Sequence, residues 1–169
     1  MSCAVKKASK RHGAFLSELA PFNGILVKEP MRDQFAALCY RMRRDLGLFE
    51  VLLVTSRESG RWIIPKGWPI AGKKPHEVAA IEAFEEAGVY GKTKKKPFGY
   101  FTYLKIAGGG QRIPCCVQVH LLNVEEMSST FPEKGQRVSE WVSCVEAAKR
   151  VREPELKGLF LSMQRALAS

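Results

Sequence analysis

The segment from Pro75 to Gly88 constrains the fold more than any other part of the chain. Proline stands at a first helical position, Val78, Ala79, Ala80, Ile81, Ala83 and Phe84 run through the middle, and Ala87-Gly88 closes it. Proline's fixed φ suits the first turn of a helix, and glycine supplies the left-handed residue that ends one, so both limits of this helix are marked. The flanking sequence has a different texture. Residues 34–41 and 50–56 are apolar and aromatic runs separated by charged residues and Gly47, and they read as two strands joined by a turn. Residues 61–65 read as a third short strand, stopped by Pro65 and Gly67. Residues 98–106 and 115–124 form a predicted hairpin around Gly108-Gly109-Gly110, and residues 140–143 a last short strand around Trp141. Residues 154–167 predict an amphipathic helix, with Leu156, Leu159, Phe160, Met163 and Leu167 three and four apart. Strands and helices alternate irregularly, without repeats or a linker, so the expectation is one α+β domain with a mixed sheet between helices. It spans residues 31–169, after a basic, partly ordered segment over residues 1–30.

The same helix carries the chemistry. Glu82, Glu85 and Glu86 lie at offsets of three and four, which gathers them on one helical face. Like charges at that spacing repel, and the helix C-terminus adds a further unfavourable field. A compensating cation is therefore expected. The helix offers no basic residue at three or four positions from these glutamates, so the candidates are Lys/Arg side chains from elsewhere or a divalent metal. Hard carboxylate oxygens suit Mg²⁺, with Mn²⁺ as the other candidate.

Residues 67–89 read Gly-Trp-Pro-Ile-Ala-Gly-Lys-Lys-Pro-His-Glu-Val-Ala-Ala-Ile-Glu-Ala-Phe-Glu-Glu-Ala-Gly-Val. This resembles the Nudix box, Gly-x5-Glu-x7-Arg-Glu-U-x-Glu-Glu-x-Gly-U, over its whole length. Gly67, Glu82, Ala83, Glu85, Glu86, Gly88 and Val89 match; Lys73 and Ile81 stand where the box has a glutamate and an arginine. In the family those two pair and hold the loop against the helix. Losing both leaves no single buried charge behind. The expectation is that Ile81 packs where the arginine would run, while Lys73 faces solvent or substrate. Residues 51–67 look like the segment before the box in the diphosphoinositol polyphosphate phosphohydrolase branch, which also cleaves dinucleoside polyphosphates. The likeness extends, less clearly, from about residue 34 to 167.

The resemblance implies the Nudix fold, an α/β/α sandwich with a mixed β-sheet between helices. It implies a Mg²⁺-dependent hydrolase that cleaves a phosphoanhydride bond in a highly phosphorylated substrate, such as a diadenosine polyphosphate or an inositol pyrophosphate. Glu82, Glu86 and the Lys66 backbone carbonyl would then hold the metal, Glu85 would act as general base, and Gly67 and Gly88 would shape the box. Arg57 matches an arginine that contacts substrate in the inositol-pyrophosphate branch. Arg32, Arg112 and Arg137 match basic or substrate-contacting positions more loosely, and Arg152 lies beside another whose place is taken by Glu153. Hydrolysis of ADP-ribose or nucleoside triphosphates, and a weakly catalytic Nudix-fold protein that binds nucleotide or RNA, stay open as alternatives.

Charge bears on the partner. With 27 Lys+Arg against 17 Asp+Glu, the formal net charge is +10, which draws polyanions toward the surface. A polyanionic small molecule is the expected partner. Nucleic acid is disfavoured, because an anionic helical face gains nothing from it, yet it is not excluded. Five cysteines without a Cys-x-x-Cys spacing, and three scattered histidines, point to core thiols in a reducing compartment rather than to zinc or disulfides. The first residues lack the apolar stretch of a secretory signal, and no apolar run reaches membrane-spanning length. A cytoplasmic monomer or homodimer is the expectation.

Overall fold

A computed structural model describes residues 30–43, 45 and 47–168. The expected N-terminal segment, with Cys3 and His12, lies outside the described residues apart from its last position. Among the described residues eight strands and three α-helices follow in the order β1 (Arg32–Arg43), β2 (Leu48–Thr55), β3 (Trp62–Ile63), β4 (Lys66–Gly67), α1 (Pro75–Ala87), β5 (Val89–Thr93), β6 (Gly99–Ile106), β7 (Arg112–Met127), β8 (Ser139–Val142), α2 (Cys144–Arg150) and α3 (Pro154–Ala168).

β1 and β7 form the spine of the sheet. They run parallel from Arg32↔Cys115 to Tyr40↔Asn123. The other pairings are antiparallel, which makes the sheet mixed. β7 is long enough to pair with β6 over its first half and β5 over its second, both on the edge away from β1. Ala36, Ala37, Leu38 and Cys39 are all fully buried, so both faces of β1 are covered, as a central strand of an α/β/α sandwich requires. α1 packs on β1, β4, β5 and β7, while α2 and α3 pack on each other and against β2 and β6.

α1 begins and ends at the two residues that mark it in the sequence. The Glu77 carboxylate accepts from the Lys74 backbone N–H at 2.7 Å, closing the first turn. Gly88 takes φ 67°, and its N–H reaches the carbonyls of Ala83 and Phe84. Ala79, Ala83 and Ala87 recur every four residues on the buried face. Their small side chains let the helix lie close on the sheet. Glu86 shares that face and is carried inward with them.

The third strand is shorter than residues 61–65 suggest. It breaks into β3, which pairs with β2, and β4, which pairs with β1. The hairpin of β6 and β7 forms in register from Gly99↔Val119 to Ile106↔Arg112, with Gly109 and Gly110 at positive φ in its tip. Cys39, Cys115, Cys116 and Cys144 are buried, and none of the four is in a disulfide. Among the described residues no helix is long and apolar enough to cross a membrane.

Candidate active site

A cleft of about 1180 Å³ opens along one side of the sheet. Its wall is made by the loop between β2 and β3, by β4 and the loop after it, by one face of α1 and by the end of β6. Gln34, Arg112, Glu133, Arg137, Arg152 and Glu153 also line it. Glu82, Glu85 and Glu86 all face this space.

Glu86 is the most buried of the three, at 4% exposure. Its Oε1 accepts from Arg137 Nη2 at 2.5 Å, and its Oε2 lies 3.4 Å from the Lys66 backbone N–H. Arg137 also donates through Nε to Glu133 at 2.5 Å and through Nη1 to the Thr55 carbonyl at 2.9 Å. Glu133 in turn pairs with Arg57 at 3.3 Å. Charges of alternating sign therefore run from Arg57 at the rim through Glu133 and Arg137 to Glu86. Two of the cations that offset the glutamate ridge are thus Arg137 and Lys66, brought in from distant parts of the chain.

Glu82 is held differently. A Cβ at Gly67 would overlap its carboxylate, so a side chain there would push the Glu82 carboxylate out of its present place. Burial, followed by Glu85 and Glu133, pushes the Glu82 carboxyl up to about 7. Burial also raises Glu86 to about 7, against the pull of Lys66 and Arg137. The Lys66 ammonium is disfavoured by its own burial, against the attraction of Glu86. Its Nζ lies 5.2 Å from the centroid of the Tyr103 ring.

These shifts fix a pH dependence. Both glutamates titrate near 4.5 when unperturbed and near 7 in the fold, so the folded chain binds more protons across that window. The stability this confers is complete below the unperturbed value and is lost as pH rises through about 7. Thermal unfolding in chelator, followed from pH about 5 to about 8, is expected to show a falling midpoint, and a rising one would contradict the burial of these carboxyls.

The donor set suits a hard divalent cation: two carboxyls on one helical face, raised chiefly by burial, in a cleft that also carries basic side chains. Among the described residues no group of three or more His, Cys, Asp or Glu side chains closes on one point. A cation held here would draw its remaining oxygens from backbone, water or substrate.

Of the basic residues singled out in the sequence, Arg57 and Arg112 line the cleft and are exposed. Arg137 lines it too, but all three of its guanidinium nitrogens are engaged within the protein, and its side chain is 7% exposed. Arg32 stands at the start of β1, outside the cleft wall, with its guanidinium 4.4 Å from the centroid of Trp68, which is part of that wall. Trp62 is half-buried beside the core, 5.6 Å from the Arg150 guanidinium. The structure adds Arg61, Lys105, Tyr103 and Gln34 to the cleft, and no motif in the sequence marks them.

No family model matches the chain. It is 45% identical over 65 residues to diphosphoinositol polyphosphate phosphohydrolase 3-beta of Bos taurus, and this match covers 38% of each protein. It is 29% identical over 113 residues to "Nudix hydrolase 16, mitochondrial" of Arabidopsis thaliana, covering 65% of this chain and 62% of that one. The chain thus spans less than two-thirds of the length of these curated relatives. Among solved structures it superposes on an Ap4A hydrolase of C. elegans with a TM-score of 0.57 at 19% identity, covering 82% of this chain and 99% of that one. The chain has the Nudix fold. A NUDIX domain of Shewanella oneidensis NrtR, solved with ADP ribose, superposes with a TM-score of 0.58 at 10% identity, covering 90% and 99%. The sequence likeness is to the diphosphoinositol polyphosphate phosphohydrolase branch of the Nudix hydrolases. In the segment that resembles the Nudix box, Lys73 is exposed and lies outside the cleft wall, and Ile81 is half-buried on α1.

Proposed function

We propose that the chain is a Mg²⁺-dependent Nudix hydrolase that cleaves a phosphoanhydride bond in a highly phosphorylated substrate, a diadenosine polyphosphate or an inositol pyrophosphate. The observation that carries this reading is the pair of half-buried Glu82 and buried Glu86 in a cleft whose other charged residues are mainly basic. The names of the similar proteins, a diphosphoinositol polyphosphate phosphohydrolase and an Ap4A hydrolase, support the substrate class.

In this reading the Glu82 and Glu86 carboxylates and the Lys66 backbone carbonyl hold Mg²⁺, or Mn²⁺ in its place. Magnesium bound there supplies positive charge to the phosphate oxygens and acidifies a water. Glu85, half-buried at the cleft wall, takes the proton from the attacking water. Arg57 and Arg112 hold the polyphosphate from the rim, where a planar guanidinium matches phosphate oxygens in pairs. Arg137 serves the site from behind by fixing Glu86 and Glu133. Arg32 acts on the cleft through Trp68. Cytoplasmic residence belongs to the same reading.

A second reading, a weakly catalytic nucleotide- or RNA-binding protein, is favoured by one observation: Arg137 already neutralises Glu86. A turnover panel separates the two. Diadenosine polyphosphates, inositol pyrophosphates, ADP-ribose and nucleoside triphosphates are each assayed with Mg²⁺ and with chelator. Metal-dependent release of phosphorus products from a member of the first two groups is expected. Failure on all four, together with RNA binding of steep salt dependence, would favour the second reading.

A further inference from the structure

β4, the loop after it and β6 bring two lysines and two aromatic rings to one stretch of the cleft wall. Tyr103 and Lys105 are two residues apart on β6, so their side chains leave the sheet on the same face. Lys66 stands on β4, and Trp68 follows two residues later. The rings carry the cations between them. Lys66 Nζ lies 5.2 Å from the Tyr103 centroid, and the Arg61 guanidinium lies 5.4 Å from it. Lys105 Nζ lies 5.8 Å from the Trp68 centroid, and the Arg32 guanidinium 4.4 Å. The Tyr103 hydroxyl is turned to Gln34 Oε1, at 2.6 Å, and serves neither lysine.

Both lysines are half-buried, and neither ammonium has a carboxylate within ion-pair distance or a hydrogen-bond acceptor among the described residues. The two buried carboxylates of the cleft are taken, Glu86 by Arg137 and Glu153 by Arg61. Glu86 attracts Lys66 from beyond ion-pair distance, while Lys105, Arg61 and Arg137 repel it. A half-enclosed cation without a counter-anion is costly, and a ring face recovers less than an ion pair does. Phosphate oxygens supply the acceptors that both lysines lack, and an ammonium binds phosphate as a compact charge. Lys66 also joins this wall to the acidic face. Its backbone N–H lies 3.4 Å from Glu86 Oε2, while its side chain lies against Tyr103.

We propose that the Lys66 and Lys105 ammonium groups form a phosphate subsite on the β4–β6 wall, beside the acidic face, that holds part of a polyphosphate without a metal ion. This rests on the hydrolase reading and deepens it. The rim arginines and the glutamate face then account for only part of the grip on the substrate. The lysines add a stretch that recognises the phosphate chain itself and is indifferent to what the chain is attached to.

Binding without turnover tests it. Calorimetry in chelator, where a metal-dependent hydrolase does not turn over, uses inorganic tripolyphosphate and diadenosine tetraphosphate as probes. Lys66→Met and Lys105→Met are each expected to weaken both probes about tenfold, the effect of losing a hydrogen bond to a charged group. Lys95→Met is the control. It removes the same charge from an exposed position outside the cleft, and it is expected to stay within about twofold of the wild type. Equal losses in all three variants would mean that net charge alone draws the probes, and that overturns the proposal. So does a loss confined to the diadenosine probe, which would place the lysines against the nucleoside, or a wild-type chain that binds tripolyphosphate no better than the cleft variants do. Melting curves of the same samples check folding, and the Lys105→Met comparison decides the matter even where Lys66→Met does not fold. Failure of the hydrolase reading would appear in the turnover panel and not in these metal-free affinities.

Discussion

Glu85→Gln and Glu86→Gln are each expected to lower metal-dependent hydrolysis on the order of 10²-fold or more, because each removes a charge that acts on the reacting groups. The two losses have different origins, and the structure tells them apart. Glu85 is half-buried in the cleft wall, and its side chain makes no hydrogen bond or ion pair among the described residues. Its replacement by the isosteric amide leaves packing and pairing as they are, so unfolding should move little while turnover collapses. Glu86 is held by Arg137 and approached by the Lys66 backbone. Its amide cannot neutralise Arg137, so Glu86→Gln is expected to shift both stability and the magnesium dependence of turnover. Steady-state rates across a magnesium series, with melting curves of the same samples, check both. Wild-type turnover in both variants would remove the catalytic assignment.

Arg137→Met carries the largest expected effect on stability. The side chains of Arg137 and Glu86 are 7% and 4% exposed, and Glu133 is 19% exposed on the other side of the guanidinium. Removing the cation leaves Glu86 buried without its closest counter-charge, a change that destabilises proteins by about 3–5 kcal/mol. The Thr55 carbonyl also loses its side-chain donor. The penalty falls where Glu86 can take up a proton, so urea unfolding is expected to show a larger loss at pH about 8 than at pH about 5. Arg137→Met combined with Glu86→Gln should recover part of that loss, because the amide no longer needs a counter-charge. A loss below about 1 kcal/mol in the single variant would mean that Arg137 is an ordinary surface ion pair.

The readability of this chain followed the range of its interactions. α1 was legible to the residue because its limits are local: Pro75 sets one end, and Gly88 closes the other with a left-handed turn. The β6–β7 hairpin was legible through its glycine tip. β5 was not, since Val89–Thr93 follows Gly88 with no further loop and owes its extension to pairing with the far half of β7 across a bulge. α2 has only seven residues, too few for a helical period to show in the sequence, although Ser143 and Glu146 carry the Ser-x-x-Glu sign of a helix start. The Ser143 hydroxyl does accept from the Glu146 N–H, at 3.1 Å.

The site divides the same way. Three glutamates on one face follow from helical spacing alone. Their cations do not. Arg137 lies 51 residues beyond Glu86 and reaches it only because the loop before β8 folds back over α1, where Glu133 N–H meets the Glu85 carbonyl. Search for a basic neighbour within the helix finds none, and only tertiary structure supplies one. Gly67 shows the converse. Its match to a motif position names the residue, but the reason for it, the Glu82 carboxylate lying against its Cα, is visible only in three dimensions. Arg61 and Glu153 belong to no motif and meet across the fold.

The most direct measurement is calorimetric titration of Mg²⁺ into the chelator-stripped chain, alone and with diadenosine tetraphosphate present. Saturable uptake that weakens on the order of tenfold or more in Glu82→Gln and Glu86→Gln is the predicted result. No uptake of divalent ion in either condition, or uptake that neither substitution alters, would contradict the assignment of this acidic face as a metal site.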